Sequence, residues 1–150
     1  MEEKVTRDWR CEASVNEFID EVMLRVRSMY EKDGVLAPVA FIMSTQFPLK
    51  PAVLPLSGAT HPSLFGEIVR SAVARYDAYG VLVTLEADRR IRDDPDSRTH
   101  VILVQLDHKY IGGRLWHAEV EDRKVGDLER LPQAIDGFFT NLIPADQKAN

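Results

Sequence analysis

The sequence predicts a single α+β domain spanning residues 1–150, built as a five-stranded, mainly antiparallel sheet with two main helices on one face and a short C-terminal helix. Three observations predict it. Two stretches, one near the N-terminus and one between Pro62 and Ala78, space their apolar residues as a helix does. The remaining apolar runs are short and rich in Val, Ile and Leu. Gly, Pro and charged clusters divide those runs as turns divide strands.

The first helix is expected from about Val15 to Lys32. Ser14 with Glu17 three residues on is the capping-box pattern, and Gly34 marks the exit. Val15, Phe18, Ile19, Val22, Met23, Val26, Met29 and Tyr30 form one apolar stripe that needs a partner surface. Residues 1–11 are expected to fray. Val35–Met43 then reads as a first strand, 48–51 as a turn between two prolines, and Ala52–Leu56 as a second strand. Pro38 and Pro55 cannot donate to a ladder, which places at least one of these strands at an edge.

The second helix, about Pro62 to Ala78, takes Thr60 as its cap and Gly80 as its stop. A third strand, Val81–Ala87, follows. Asp88–Arg98, dense in both charge signs and containing Pro95, reads as an exposed connection to a fourth strand, Thr99–Tyr110. The fifth strand is expected at about Leu115–Glu121. A two-residue loop at Gly112-Gly113 mixes polar and apolar groups on both faces of this hairpin. A three-residue loop, Gly112 to Arg114, instead gathers Ile102, Val104, Leu106, Tyr110, Trp116, Ala118 and Val120 on one face, as burial requires. The tail from Leu128 to Ile143 carries a helical spacing of apolar residues and reads as a short covering helix, with 146–150 frayed.

Composition narrows the function classes. Nineteen Lys and Arg against 24 Asp and Glu leave a net charge of −5, which supplies no broad cationic field for nucleic acid. The lone Cys11 has no intrachain disulfide partner, and the charged N-terminus MEEKVTRDWR lacks the apolar run of a signal peptide. No apolar run approaches the ~20 residues of a membrane helix. A cytoplasmic protein away from the membrane is expected.

Five residues carry a motif. Pro95-Asp96, followed after ten residues by Asp107-His108-Lys109, resembles the PD-(D/E)xK signature of metal-dependent nucleases. That resemblance implies two acids converging on a divalent metal, with the lysine helping to activate water. No turn residue lies between Ser97 and Leu106, so both acids belong to one strand, ~30 Å or more apart at ~3.3 Å per residue, too far to share a metal within one chain. The histidines His61, His100, His108 and His117 lack zinc-site spacings. In the chosen register His108 lies on the apolar face beside Ala118 and His117 on the polar face opposite Lys109, so they point apart.

Three weaker features complete the survey. At the strand-to-helix junction Ser57-Gly58-Ala59-Thr60-His61-Pro62, backbone N–H groups and the positive end of a helix dipole offer a place for an anion or small ligand, with Ser57, Thr60 and His61 as its candidate residues. Ordinary capping and turn formation explain the same residues. Cys11, just before a helix, is read as a small packed side chain rather than a reactive thiol. Glu86, Asp88, Glu119 and Glu121 would form an acidic cluster if their strands were neighbours, though an exposed sheet face accounts for them more simply. The order of elements, with DDPDSR before the fourth strand, resembles small bacterial or phage-borne proteins and transfers no functional residue.

The resulting expectation is a non-enzymatic interaction or regulatory protein with a protein partner or self-association, and with no catalytic residues, cofactor or metal assigned. The alternatives are a metal-dependent hydrolase or nuclease whose site forms only in three dimensions, and a binder of anions or small ligands at 57–62.

Overall fold

The computed structural model describes residues 8–58, 64–91, 94–131 and 142–143, and within 88–91 and 94–98 the backbone alone. The described elements are α1 (Glu12–Asp33), β1 (Val39–Met43), β2 (Ala52–Pro55), α2 (Phe65–Tyr76), β3 (Gly80–Ile91), β4 (Asp94–His108), β5 (Gly112–Glu121), β6 (Lys124–Val125) and β7 (Glu129–Leu131). The fold is α+β, with one antiparallel sheet of seven strands in the order β2-β1-β3-β4-β5-β6, and with β7 also on β5. The five expected strands are all present, and two short ones follow β5.

The helices lie on opposite faces of this sheet, which corrects the one-face expectation. Leu82, Ile102, Val104, Leu106 and Ala118 pack with Val15, Phe18, Ile19, Val22, Met23 and Val26 of α1. Their neighbours along β3, Val81 and Val83, pack with Val69, Ala72 and Val73 of α2, beside Ala40 and Ile42 of β1 and Leu142 and Ile143 near the C-terminus. Successive strand residues face opposite ways, so the unbroken run Val81-Leu82-Val83 reports burial on both faces.

α1 starts three residues before its expected boundary. Its N-cap is Cys11, which makes no side-chain capping bond, and Ser14 lies inside the first turn. The start is set by packing: Trp9 is buried, its indole Nε1 donates to the Phe47 carbonyl at 3.0 Å, and its ring meets Phe18 edge-on at 5.6 Å. Residues 8–11 are thus anchored rather than frayed; 1–7 and 146–150 lie outside the described residues. The exit is at Gly34, with φ 70° and its N–H bonded to the Tyr30 carbonyl. α2 ends at Asp77 in the left-handed region, φ 47°, whereas Gly80, the expected stop, is the first residue of β3. Thr60, the expected cap, lies outside the described residues.

The β4–β5 register has the expected parity but a different turn. Ile102 is opposite Ala118 and Val104 opposite Trp116, so the predicted apolar face forms except that Tyr110 lies in the turn, half exposed. The loop is Lys109–Ile111, not Gly112–Arg114, since His108 already pairs with Gly112. In the expected C-terminal helix, 129–131 form a strand on β5, Leu142 and Ile143 are fully buried, and the residues between lie outside those described.

Candidate functional site

Two of the motif residues at the end of β4, Asp107 and His108, join distant segments of the chain. The Asp107 side chain faces α2's side of the sheet, where Oδ2 accepts the Ile143 amide at 2.9 Å and docks the C-terminal segment. His108 faces the other way. Its Nδ1 accepts the amides of Tyr110 and Ile111 at 3.1 and 3.2 Å, so Nε2 carries the proton that it donates to the Trp9 carbonyl at 2.6 Å. Burial pushes its pKa down, against the opposing pull of the Trp9 bond and the Asp107 charge. Lys109 sits over the Tyr79 ring and 3.6 Å from Asp77. Asp96 is at the far end of the same strand, as the strand argument requires.

The other candidates are separated. His117 pairs with Leu103, on the opposite face of the sheet from His108, and contacts Glu129 Oε2 at 3.2 Å; it is buried rather than on an exposed polar face. Glu86 accepts the Leu36 amide and lies 2.8 Å from His100 Nε2. It shares its face with Ile102 and Ala118, so Glu119, one residue further along β5, points the other way and β4 lies between. The acidic cluster is not assembled. Among the described residues no three of His, Cys, Asp and Glu gather as a metal site. Ser57 is exposed in a turn after β2, while Thr60 and His61 lie outside the described residues.

The segment read as an exposed connection is where the sheet offers something to a partner. β3 and β4 remain paired to Arg90 opposite Arg98, and, past a bulge, Ile91 opposite Asp94. The neighbouring strands stop sooner. β1 pairs with β3 only as far as Thr84, and β5 with β4 only as far as Val101. Beyond those points, among the described residues, β3 and β4 form a two-stranded ribbon with no further strand on either outer edge. At its foot β5 parts from β4, leaving a concavity of about 720 Å³ lined by Thr99 and His100 on one side and Glu119, Glu121 and Lys124 on the other.

The backbone polarity of that edge follows from the ladders. Lys109 N–H donates to the Tyr79 carbonyl and Leu56 N–H to the Pro38 carbonyl. Extended through the registers, these bonds aim odd-numbered β4 residues at β3 and even-numbered ones outward from His108 back to Arg98, where the register shift ends the alternation. Between Arg98 and Val101 the outer edge of β4 therefore presents the backbone groups of Arg98 and His100.

Dense charge and Pro95 are the marks of a loop, and they conceal the ribbon in the sequence. One signal was available: 81–111 contains no glycine, and the strand residues of β3 run on through Arg89-Arg90-Ile91 without a turn residue. No protein-family model, curated protein or solved structure matches the chain. Among the described residues no helix is long and apolar enough to cross a membrane.

Proposed function

We propose that this chain is a non-enzymatic protein-interaction module whose working element is the projecting β3–β4 ribbon. The observation that carries the reading is the open outer edge of β4 before Val101, where backbone donors and acceptors face outward beside a concavity. An extended segment of a partner can add to such an edge, with main-chain hydrogen bonds giving affinity and the adjoining groove giving choice of side chain. The ribbon's dense charge of both signs fits this use, because charged edges resist indiscriminate strand addition and leave pairing to complementary partners. The contacts of Asp107 to Ile143 and of His108 to Trp9 give these two motif residues a structural use, which supports an interaction reading over a nuclease one. The single exposed Cys11 fits a reducing, cytoplasmic setting.

The test is site-specific photo-crosslinking in cells that make the protein. A benzophenone amino acid at Ser97 is expected to capture a protein in a defined adduct, and the same probe at the exposed Leu24 of α1 is expected to give none. Absence of any protein adduct from Ser97 would remove this reading.

A further inference from the structure

We infer that the turn between β4 and β5, Lys109–Ile111, is gated by a proton: the neutral His108 ring holds it shut, and protonation of that ring opens it while the N-terminal segment stays anchored. The gate lies at the opposite end of β4 from the projecting ribbon and does not depend on what the ribbon binds.

The two ring nitrogens have opposite kinds of partner. Nδ1 accepts the Tyr110 and Ile111 amides at 3.1 and 3.2 Å, and Nε2 donates to the Trp9 carbonyl at 2.6 Å. The charged ring is a donor at both nitrogens. A proton arriving at Nδ1 therefore meets two N–H groups where it needs an acceptor, and both turn bonds break together. The Trp9 bond survives the same event, because Nε2 already carries its hydrogen and a charged donor bonds more strongly. Turning the ring over about Cβ–Cγ offers no escape, since it takes Nε2 away from the Trp9 carbonyl. Nor can the ring shift towards β3, where it lies so close to Gly80 that an added methyl group would overlap Cδ2. The conflict is relieved on the remaining side, at the turn, whose Tyr110 already stands half in solvent.

Charged and titratable groups reach the surroundings of the ring from each element packed there. On β4 itself Asp107 is adjacent but faces the other side of the sheet, where it accepts the Ile143 amide. From the turn come Tyr110, its ring centroid 5.9 Å away, and Lys109, whose ammonium lies over Tyr79 and 3.6 Å from Asp77. Tyr79, just before β3, packs on Tyr110 at 6.0 Å. In the N-terminal segment Asp8 and Arg10 flank Trp9 and pair with each other at 3.0 Å, and on the ring's own sheet face Arg114 of β5 is tied to Glu12 of α1 at 2.6 Å. Burial lowers the pKa of the enclosed ring, against the pull of the Trp9 bond and the Asp107 charge. In the opened turn the ring returns towards its ordinary value of about 6.5. The closed turn is therefore fully favoured above about 6.5, and its opening constant rises by up to about tenfold per pH unit as pH falls from there towards the lowered value.

Amide hydrogen exchange of the full chain, followed residue by residue by NMR between pH 7.5 and 5, tests the gate. The protection factors of Tyr110 and Ile111, corrected for the intrinsic pH dependence of exchange, are expected to fall at least about tenfold over this range. The opening is local, so these two amides should exchange faster than those of Leu82 and Val104 in the central strands, and low urea concentrations should leave their rates unchanged. The Trp9 indole N–H, bonded to the Phe47 carbonyl, should stay with the slow protons. His108→Asn sets an oxygen that does not titrate where Nδ1 sits, and is expected to abolish the pH dependence at Tyr110 and Ile111. Three results would overturn the inference: protection at these two amides that does not change with pH, exchange there only in step with Leu82 and Val104 and with their urea dependence, or the same pH dependence in His108→Asn. The first two are read on the wild type, so they decide even where the variant does not fold.

Discussion

His108 lies completely buried between Trp9 and the Lys109–Ile111 turn, and its two ring nitrogens decide its protonation state. Nδ1 receives two amides and has no room for a proton, so the folded chain holds the neutral ring. The contact is close. A methyl group on Gly80 would come within 2.5 Å of the His108 Cδ2, which is why the first residue of β3 is a glycine with nothing to do with ending α2. Because burial depresses the folded-state pKa, acid favours the unfolded chain, which takes up the proton near its ordinary value of about 6.5. The contribution of His108 is therefore complete above that value and is lost as pH falls through the folded pKa, by at most about 1.4 kcal/mol per pH unit. Asp107 beside it and Tyr110 in the turn are the charged or titratable groups closest to the ring, and the Asp107 charge softens the effect. Urea unfolding between pH 7.5 and 5 is expected to show a steeper loss of stability for the wild type than for His108→Gln. Equal slopes would assign the acid sensitivity elsewhere. None of this was legible in advance: a histidine on an apolar strand face is visible in the sequence, but its partners come from a residue ninety-nine positions away and from a turn placed three residues earlier than the glycines suggest.

At the scale of elements, periodicity was legible and termini were not. The stripe from Val15 to Tyr30 located α1, and Gly34 located its end, because both are local properties of the chain. Its start was missed because the helix is launched by Trp9 packing on Phe18 and Phe47, a tertiary event that overrides the Ser14–Glu17 pattern. α2 ends for a different reason than expected: Asp77 takes the left-handed conformation that glycine adopts at least cost, and its N–H reaches back to Ala74 and Val73 carbonyls. Its carboxylate is almost fully exposed, so the approach to Lys109 is screened by solvent and contributes little. Asp77→Gly should therefore stabilise the chain by up to about 1 kcal/mol, read as a rise of a few degrees in Tm. A clear fall would mean that the Asp77–Lys109 contact matters more than its exposure allows.

For the molecule as a whole, the α+β class and the central strands were legible because they depend on burial, which the apolar runs record. The placement of α1 and α2 on opposite faces was encoded in Val81-Leu82-Val83, and the ribbon in the absence of glycine from 81 to 111, but charge and Pro95 concealed the second. Of the residues from 88 to 100 whose side chains are described, Thr99 and His100, neither belongs to a buried cluster. Ala87 and Val101 are opposite one another and, being odd-numbered on β3 and β4, form a hydrogen-bonded pair of the kind that a two-residue turn closes. Replacing 88–100 with Asn-Gly should leave a chain that still unfolds cooperatively, with Tm lowered by only a few degrees through the loss of His100 beside Glu86 and Tyr30. The same chain should no longer co-purify with the protein that Ser97 captures in the intact chain. Collapse of the truncated chain to a molten or aggregated state would make the ribbon part of the folding unit; a truncated chain that stays folded and retains that protein would place the interaction surface elsewhere on the molecule.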